Sequence, residues 1–260
     1  MKRTISILTL LVATTLVATA QNSSWTFFAG WNQAIGDFAK ADLTTNDWAF
    51  VSPSSTKGGA GYGFDIGVSH QRPFGENSKA SLVLSADFIY TGAAYTIRNN
   101  TRMLVAEASN NFAKASVTNP HFASLPILGG LHYEFGLGGS YSLYLEAQAG
   151  FAYRWISNRG AEFVDGQQPI SVGGEAVYDY IYTDHFHNSA SLAFHFSVGL
   201  VENDHWIADF GVWHMGSQKV EGYEEFSVST IPGLLRHGSM PFSVGTIAPF
   251  HYTLRIGYRL

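Results

Sequence analysis

The stretch from Pro249 to Leu260, at the end of the sequence, alternates in character almost without fault. Phe250, Tyr252, Leu254, Ile256, Tyr258 and Leu260 take one parity; His251, Thr253, Arg255, Gly257 and Arg259 take the other. Successive side chains of a strand point to opposite faces, so the segment has one apolar face and one polar, cationic face. A soluble sandwich has little use for two arginines on its second face. A membrane barrel sets lipid against the apolar parity and a wet lumen against the other. The pattern therefore bears on location as well as on fold.

The start of the sequence agrees. Lys2 and Arg3 form a positive region, Ile5 to Val17 an apolar region, and Ala18-Thr19-Ala20 a small-residue cleavage site. This reads as a secretory signal peptide over 1–20, followed by one domain over 21–260. Its apolar stretch is shorter than the roughly 20 residues of a membrane helix. There is no cysteine, which excludes a lipoprotein anchor, disulfides and thiolate metal sites. Only 13% of residues are charged, against 15% aromatic, and no later apolar run is long enough for a spanning helix. Without Lys2 and Arg3 the net charge of −5 becomes −7. No basic patch offsets it, so nucleic acid is excluded as a partner.

Seven further segments alternate: Trp25–Gln33, Gly61–Arg72, Leu82–Tyr90, His121–Phe135, Leu143–Trp155, Ala190–Leu200 and Trp206–Trp213. The connections between the eight segments fall into two kinds. Pro73–Lys79, Gly136–Ser140 and Glu202–Asp204 are short, whereas Ala34–Ala60, Gly92–Pro120, Ser157–Asp184 and Gly216–Gly245 are long. Short turns at one end and long loops at the other is the layout of an outer-membrane barrel, with both termini on the periplasmic side. The expected fold is all-β: an eight-stranded antiparallel up-and-down transmembrane barrel. A ten-stranded version, with an extra strand hidden in Arg102–Ala108, is the alternative.

The signal peptide, the run Leu125-Pro126-Ile127-Leu128-Gly129-Gly130-Leu131 before Tyr133–Phe135, and the terminal Leu254-Arg255-Ile256-Gly257-Tyr258-Arg259-Leu260 resemble the porin-like outer-membrane β-barrel families of Gram-negative bacteria. The resemblance covers essentially the whole mature chain. It implies a place in the outer membrane and insertion by the outer-membrane assembly machinery, which in such families reads a final aromatic residue. Here the last residue is Leu260, with Tyr258 two places earlier.

The inward parity gathers Asp65, Asp87, Glu134, Glu146 and Asp209 with Arg154, Arg255, Arg259 and His195, beside His132 and His251. An eight-stranded lumen is just wide enough for side chains to fill. Charges confined there must pair, so the expectation is a lumen ion network acting as a plug; a gated narrow pore is the alternative. The outward aromatics Trp25, Trp206 and Tyr258 are expected at the periplasmic interface, and Trp31, Tyr90, Tyr153 and Trp155 at the outer one.

Catalytic readings concentrate at the outer rim. Tyr178, Tyr180, Tyr182 and Phe186 continue the outward parity of the Ala190–Leu200 segment beyond bilayer height, next to Asp184, His185 and His187. Two histidines and a carboxylate are metal-ligand types, yet alternation alone produces this spacing. A rim protease would pair Asp184 with His214. A lipid A deacylase would place a histidine two residues before a serine; His195 and Ser197 have that spacing but face the lumen, and His214 has Gly216 where the serine should stand. The expectation is therefore a non-enzymatic barrel with no catalytic residues, metal or cofactor. Its role would be envelope-structural or loop-mediated binding, with a narrow porin and an outer-membrane hydrolase as alternatives. The expected partners are outer-membrane lipid and lipopolysaccharide and, during insertion, the assembly machinery; the expected state is a monomer.

Overall fold

The computed structural model describes residues 23–40, 58–75, 78–172, 175–231 and 234–260. The signal peptide assigned to 1–20 and residues 41–57 of the first long connection lie outside them. The first half of the chain runs β1 (Ser24–Ala34), α1 (Gly36–Ala39), β2 (Ala60–Pro73), β3 (Ala80–Ala93), α2 (Tyr95–Ala108), β4 (Phe112–Thr118), β5 (Phe122–Gly138) and β6 (Tyr141–Ile156). The second half runs β7 (Arg159–Gly166), β8 (Ile170–Val172), β9 (Glu175–Val177), β10 (Asp179–Phe186), β11 (Ser189–Glu202), β12 (Trp206–His214), β13 (Gln218–Ile231), β14 (Leu234–Ile247) and β15 (Phe250–Arg259).

Eight of these strands close an antiparallel barrel in the order β1-β15-β12-β11-β6-β5-β3-β2. They coincide with the eight alternating segments. The closing strand lies against the first, from Thr26 opposite Arg259 to Ala34 opposite His251, and the Leu260 N–H donates to the Trp25 carbonyl at 2.8 Å. Closure leaves no unpaired edge, which hydrocarbon could not satisfy. Polarity follows parity: Phe64, Ile66, Leu131, Phe196, Leu254 and Ile256 are exposed outside, while Asp65, Ser69, Glu146, His195 and Arg255 are buried inside. The barrel is thus dressed for lipid without and for polar contact within. Its short turns use the backbone they need: Asn203 and Asp204 take φ of 52° and 61°, and Gly138 and Gly139 take 100° and 64°.

The second, third and fourth long connections contribute the strands of a second antiparallel sheet in the order β14-β13-β10-β7-β4, and each of its strands continues a barrel strand past the rim. β4 leads into β5, β6 into β7, β10 into β11, β12 into β13 and β14 into β15. The sheet is an upward extension of five-eighths of the barrel wall. Hydrogen bonds bridge the rim, among them Ser157 N–H to the His121 carbonyl and Met215 N–H to the Pro249 carbonyl, both 2.9 Å.

Two expectations change here. The extra strand assigned to Arg102–Ala108 is the second half of helix α2. Its apolar residues Ile97, Leu104 and Ala108 recur with helical rather than strand spacing, and Leu104 and Ala108 pack on Phe112, Ala161, Phe163 and Tyr182. The tyrosines 180 and 182 do not prolong an outward, exposed row. The irregular pair His187–Asn188 shifts the alternation by one residue, so Tyr182 turns inward and is buried beneath α2. A one-residue slip reverses every side chain that follows it. The same reversal separates Glu146 and Gln148 in the lumen from Ala161 and Phe163 above it.

Candidate functional site

One ring of residues crosses the lumen. Gly30 on β1 stands opposite Asp65 on β2 and Arg255 on β15, and Arg255 stands opposite Asp209 on β12. Arg255 Nε donates to Asp209 Oδ1 at 2.7 Å and Nη1 to Asp87 Oδ1 at 3.1 Å. The Tyr144 hydroxyl donates to Asp209 Oδ2 at 2.5 Å, and the guanidinium lies 4.4 Å from the centre of the Phe28 ring. Gly30 makes room for this arginine: a Cβ there would fall 2.7 Å from Arg255 Cγ. Asp65 is fully buried in the same ring, and neither carboxylate oxygen has a partner among the described residues.

Nearer the short-turn end a second cluster links four strands, β15, β5, β6 and β3. Arg259 Nη1 donates to Glu134 Oε2 at 3.1 Å, Ser142 donates to Glu134 Oε1, and His132 Nδ1 lies 3.0 Å from Glu146 Oε2. Gln148 Nε2 donates to Glu146 Oε1 at 2.8 Å, and Ser85 Oγ to Gln148 Oε1 at 2.7 Å. A polar cavity of about 660 Å³, lined by Gln71, Lys79, Glu134, Asn203 and Arg259 among others, opens below this cluster.

The long-loop end is different. Phe38 of α1 sits over the lumen with Phe122 and His251 rings each 5.0 Å from its own, packed among Ala34, Ala60, Ile156, Val220 and Ile247. This apolar stopper caps the polar interior.

Of the charges read as lumen-facing, Asp87, Asp209 and Arg255 meet in one group, and Glu134, Glu146 and Arg259 in the other. Arg154 joins neither. Its Nη1 donates to the main-chain carbonyls of Met215 at 2.7 Å and Gly216 at 3.3 Å. His195 stacks on Trp213 with ring centres 4.0 Å apart. Tyr144 falls on the inward parity of its segment and Phe38 in a long connection, but neither a neutral phenol nor a loop phenylalanine carries a charge signal that marks its role in the sequence. Of the interface aromatics, Trp25, Trp206 and Tyr258 lie outward at the short-turn end, and Trp31, Tyr90, Tyr153 and Trp155 lie on the outward parity toward the rim. Trp206 and Tyr258 pack edge to face at 5.1 Å.

Above the rim, Arg159, Asp184 and Glu224 stand side by side on β7, β10 and β13. Arg159 Nε donates to the buried Asp184 at 2.5 Å. Burial, then the Asp184 charge, raises the Glu224 carboxyl above its ordinary range. Tyr180 is pushed up to about 12, first by burial and then by Glu224. The proposed rim pairing does not form: Asp184 is held by Arg159, while His214 is exposed on the lipid face beside Phe194 and Phe250. His185 stacks on Tyr223 and lies 3.3 Å from Glu225. His195 and Ser197 are both buried in the lumen. No cluster of three metal-ligating side chains occurs among the described residues.

No protein-family model and no curated protein matches the chain. Among solved structures it is similar to the outer membrane protein OprG of Pseudomonas aeruginosa, at 12% identity over 92% of this chain and 96% of that one, with a TM-score of 0.40. It is also similar to a major outer membrane protein of Thermus thermophilus, at 11% identity over 92% and 100%, with a TM-score of 0.42. Neisserial surface protein A aligns at 13% identity over 92% and 96%, with a TM-score of 0.36.

Proposed function

We propose that this eight-stranded barrel is an integral outer-membrane protein, non-enzymatic, that carries an ordered extracellular head for binding above a plugged lumen. The observation behind the reading is the division of labour along five continuous strands. Below the rim they enclose paired charges; above it they form a sheet backed by a helix. Such a head offers a pre-ordered surface, and ordering a binding surface in advance lowers the entropic cost of association.

A narrow porin is less well supported. A conducting path would have to pass both the Arg255–Asp209–Asp87 group and the apolar Phe38 stopper. A hydrolase is less well supported again, because the histidines and carboxylates considered for it face different solvents.

Protease treatment of intact cells, with the cut sites mapped, tests the topology. Cleavage is expected in the head and not at Gly136–Ser140; a cut at Gly136–Ser140 in intact cells overturns the reading. Conductance of the purified protein in a planar bilayer tests the plug. A flat trace is expected, and steady single-channel steps would favour the porin instead.

A further inference from the structure

Helix α2 has two unlike sides. Ile97, Leu104 and Ala108 pack inward, whereas Tyr95, Arg98, Asn99 and Arg102 fall at i, i+3, i+4 and i+7 and share the opposite stripe. Tyr95 and the adjoining Met103 are 69% and 65% exposed. Because α2 begins just after β3 ends at Ala93, this stripe starts at the rim.

Arg98 fixes its height. The guanidinium carbon lies 5.0 Å from the centre of the Tyr62 ring. Tyr62 belongs to the lipid-facing parity of β2, two residues above Phe64, which stacks on the girdle residue Tyr90. Aromatic girdles mark the level at which hydrocarbon gives way to headgroups. An arginine held over such a ring by cation–π attraction still has N–H donors to offer an anion.

At this end of the barrel Lys40 pairs with Asp37, Lys114 with Glu162, Arg159 with Asp184 and Lys219 with Glu221. Arg98 and Arg102 have no carboxylate partner among the described residues, and Arg98 Nε is buried without a hydrogen-bond partner. Two unpaired guanidinium groups one helical turn apart suit a phosphate, which accepts paired N–H donors from each.

We propose that Arg98 and Arg102, with Tyr62 and Tyr95, bind the phosphate of a lipid headgroup in the leaflet that meets the head. The site rests on the outer-membrane reading for which leaflet this is. It would anchor α2, and the sheet packed on it, at a fixed depth and rotation.

Native mass spectrometry of the protein in a non-ionic maltoside provides the test, using lipid A with both phosphates, dephosphorylated lipid A, and inorganic phosphate as probes. The phosphorylated lipid should be retained about tenfold better than the dephosphorylated one, and the double variant Arg98→Gln/Arg102→Gln should lose that advantage. Equal retention of the two lipids by the wild type, or undiminished preference in the double variant, overturns the site. Displacement by equimolar inorganic phosphate overturns the lipid as its source. Heat-modifiable gel migration reports whether the variant folds; should it not, the comparison of the two lipids on the wild type decides alone. Failure of the outer-membrane reading is detected separately, by fractionation of cell membranes, and leaves the detergent result standing.

Discussion

The same five strands are built in opposite ways below and above the rim. In the barrel, β6 and β11 turn Leu145, Phe151, Leu192 and Phe196 outward and Glu146, Gln148, His195 and Ser197 inward. In the head, β7 and β10 turn Ala161, Phe163 and Tyr182 inward against α2, while Glu162 and His185 lie on the outer side with Lys114 and Glu225. A short irregular break at the rim inverts the alternation. The inversion follows from solvent: lipid wets the outside of the barrel, water wets the outside of the head, and the strands change dress where the medium changes. Stability should therefore rest on paired charge inside the barrel and on apolar packing inside the head.

Removing the central cation is the severest way to break that contrast. Arg255→Gln leaves Asp209 and Asp87 buried without their counter-ion, a loss expected to cost about 3–5 kcal/mol. It should appear as a lower urea midpoint for the heat-modifiable barrel in detergent micelles. Arg159→Gln removes an arginine from the head, where the Asp184 carboxylate loses its partner. The barrel midpoint should stay near the wild-type value in that variant. An equal fall in both would mean that barrel and head unfold as one body.

A charge placed outside gives the next largest effect. Phe196, near the middle of β11, is 59% exposed yet faces hydrocarbon. Phe196→Arg should destabilise the barrel in bilayers by about 2–4 kcal/mol. Ser116→Arg, on the exposed outer side of β4 opposite Glu162, should change stability by no more than about 0.5 kcal/mol. Equal tolerance at the two sites in lipid would show that Phe196 does not meet the bilayer.

The same contrast explains what the sequence disclosed. Each barrel strand announces itself because lipid enforces alternation over ten or so residues; the segment read as His121–Phe135 is β5, Phe122–Gly138. The head keeps no continuous register with it. Counting parity back from Ala190 through His187–Asn188 puts Tyr182 on the wrong side, and only the packing of α2 corrects the count. Within the lumen, parity found Arg154, Arg255 and Arg259 alike but could not assign their partners. Partner choice depends on cross-strand register: Arg255 on β15 faces Asp209 on β12, whereas Arg154 reaches the carbonyls of Met215 and Gly216 in the break between β12 and β13. Arg98 and Arg102 share a stripe only at helical spacing, so a reading of Gly92–Pro120 as loop or strand gives them no common face.

The smallest effect tests how the head tolerates charge on its inner face. Glu224 stands beside Asp184 with a single arginine, Arg159, to serve both, and its carboxyl is raised in the folded head by burial and by its neighbour. A raised folded value means that protonated Glu224 favours the folded state. Its contribution is complete below the unfolded carboxylate range, near pH 4, and is lost as the pH climbs through the folded value. At pH 7.5 the wild-type head thus holds a repelling carboxylate pair, and Glu224→Gln should slow amide hydrogen exchange in β10 and β13 relative to wild type. At pH 4 the two proteins should exchange alike, because the wild-type residue is then protonated. Protection in the barrel strands β11 and β12 should be the same in both proteins at either pH. A variant that protects β10 equally at both pH values would show that the gain comes from packing of the amide rather than from relief of charge. A variant that exchanges faster at pH 7.5 would show that Arg159 attracts Glu224 more strongly than Asp184 repels it.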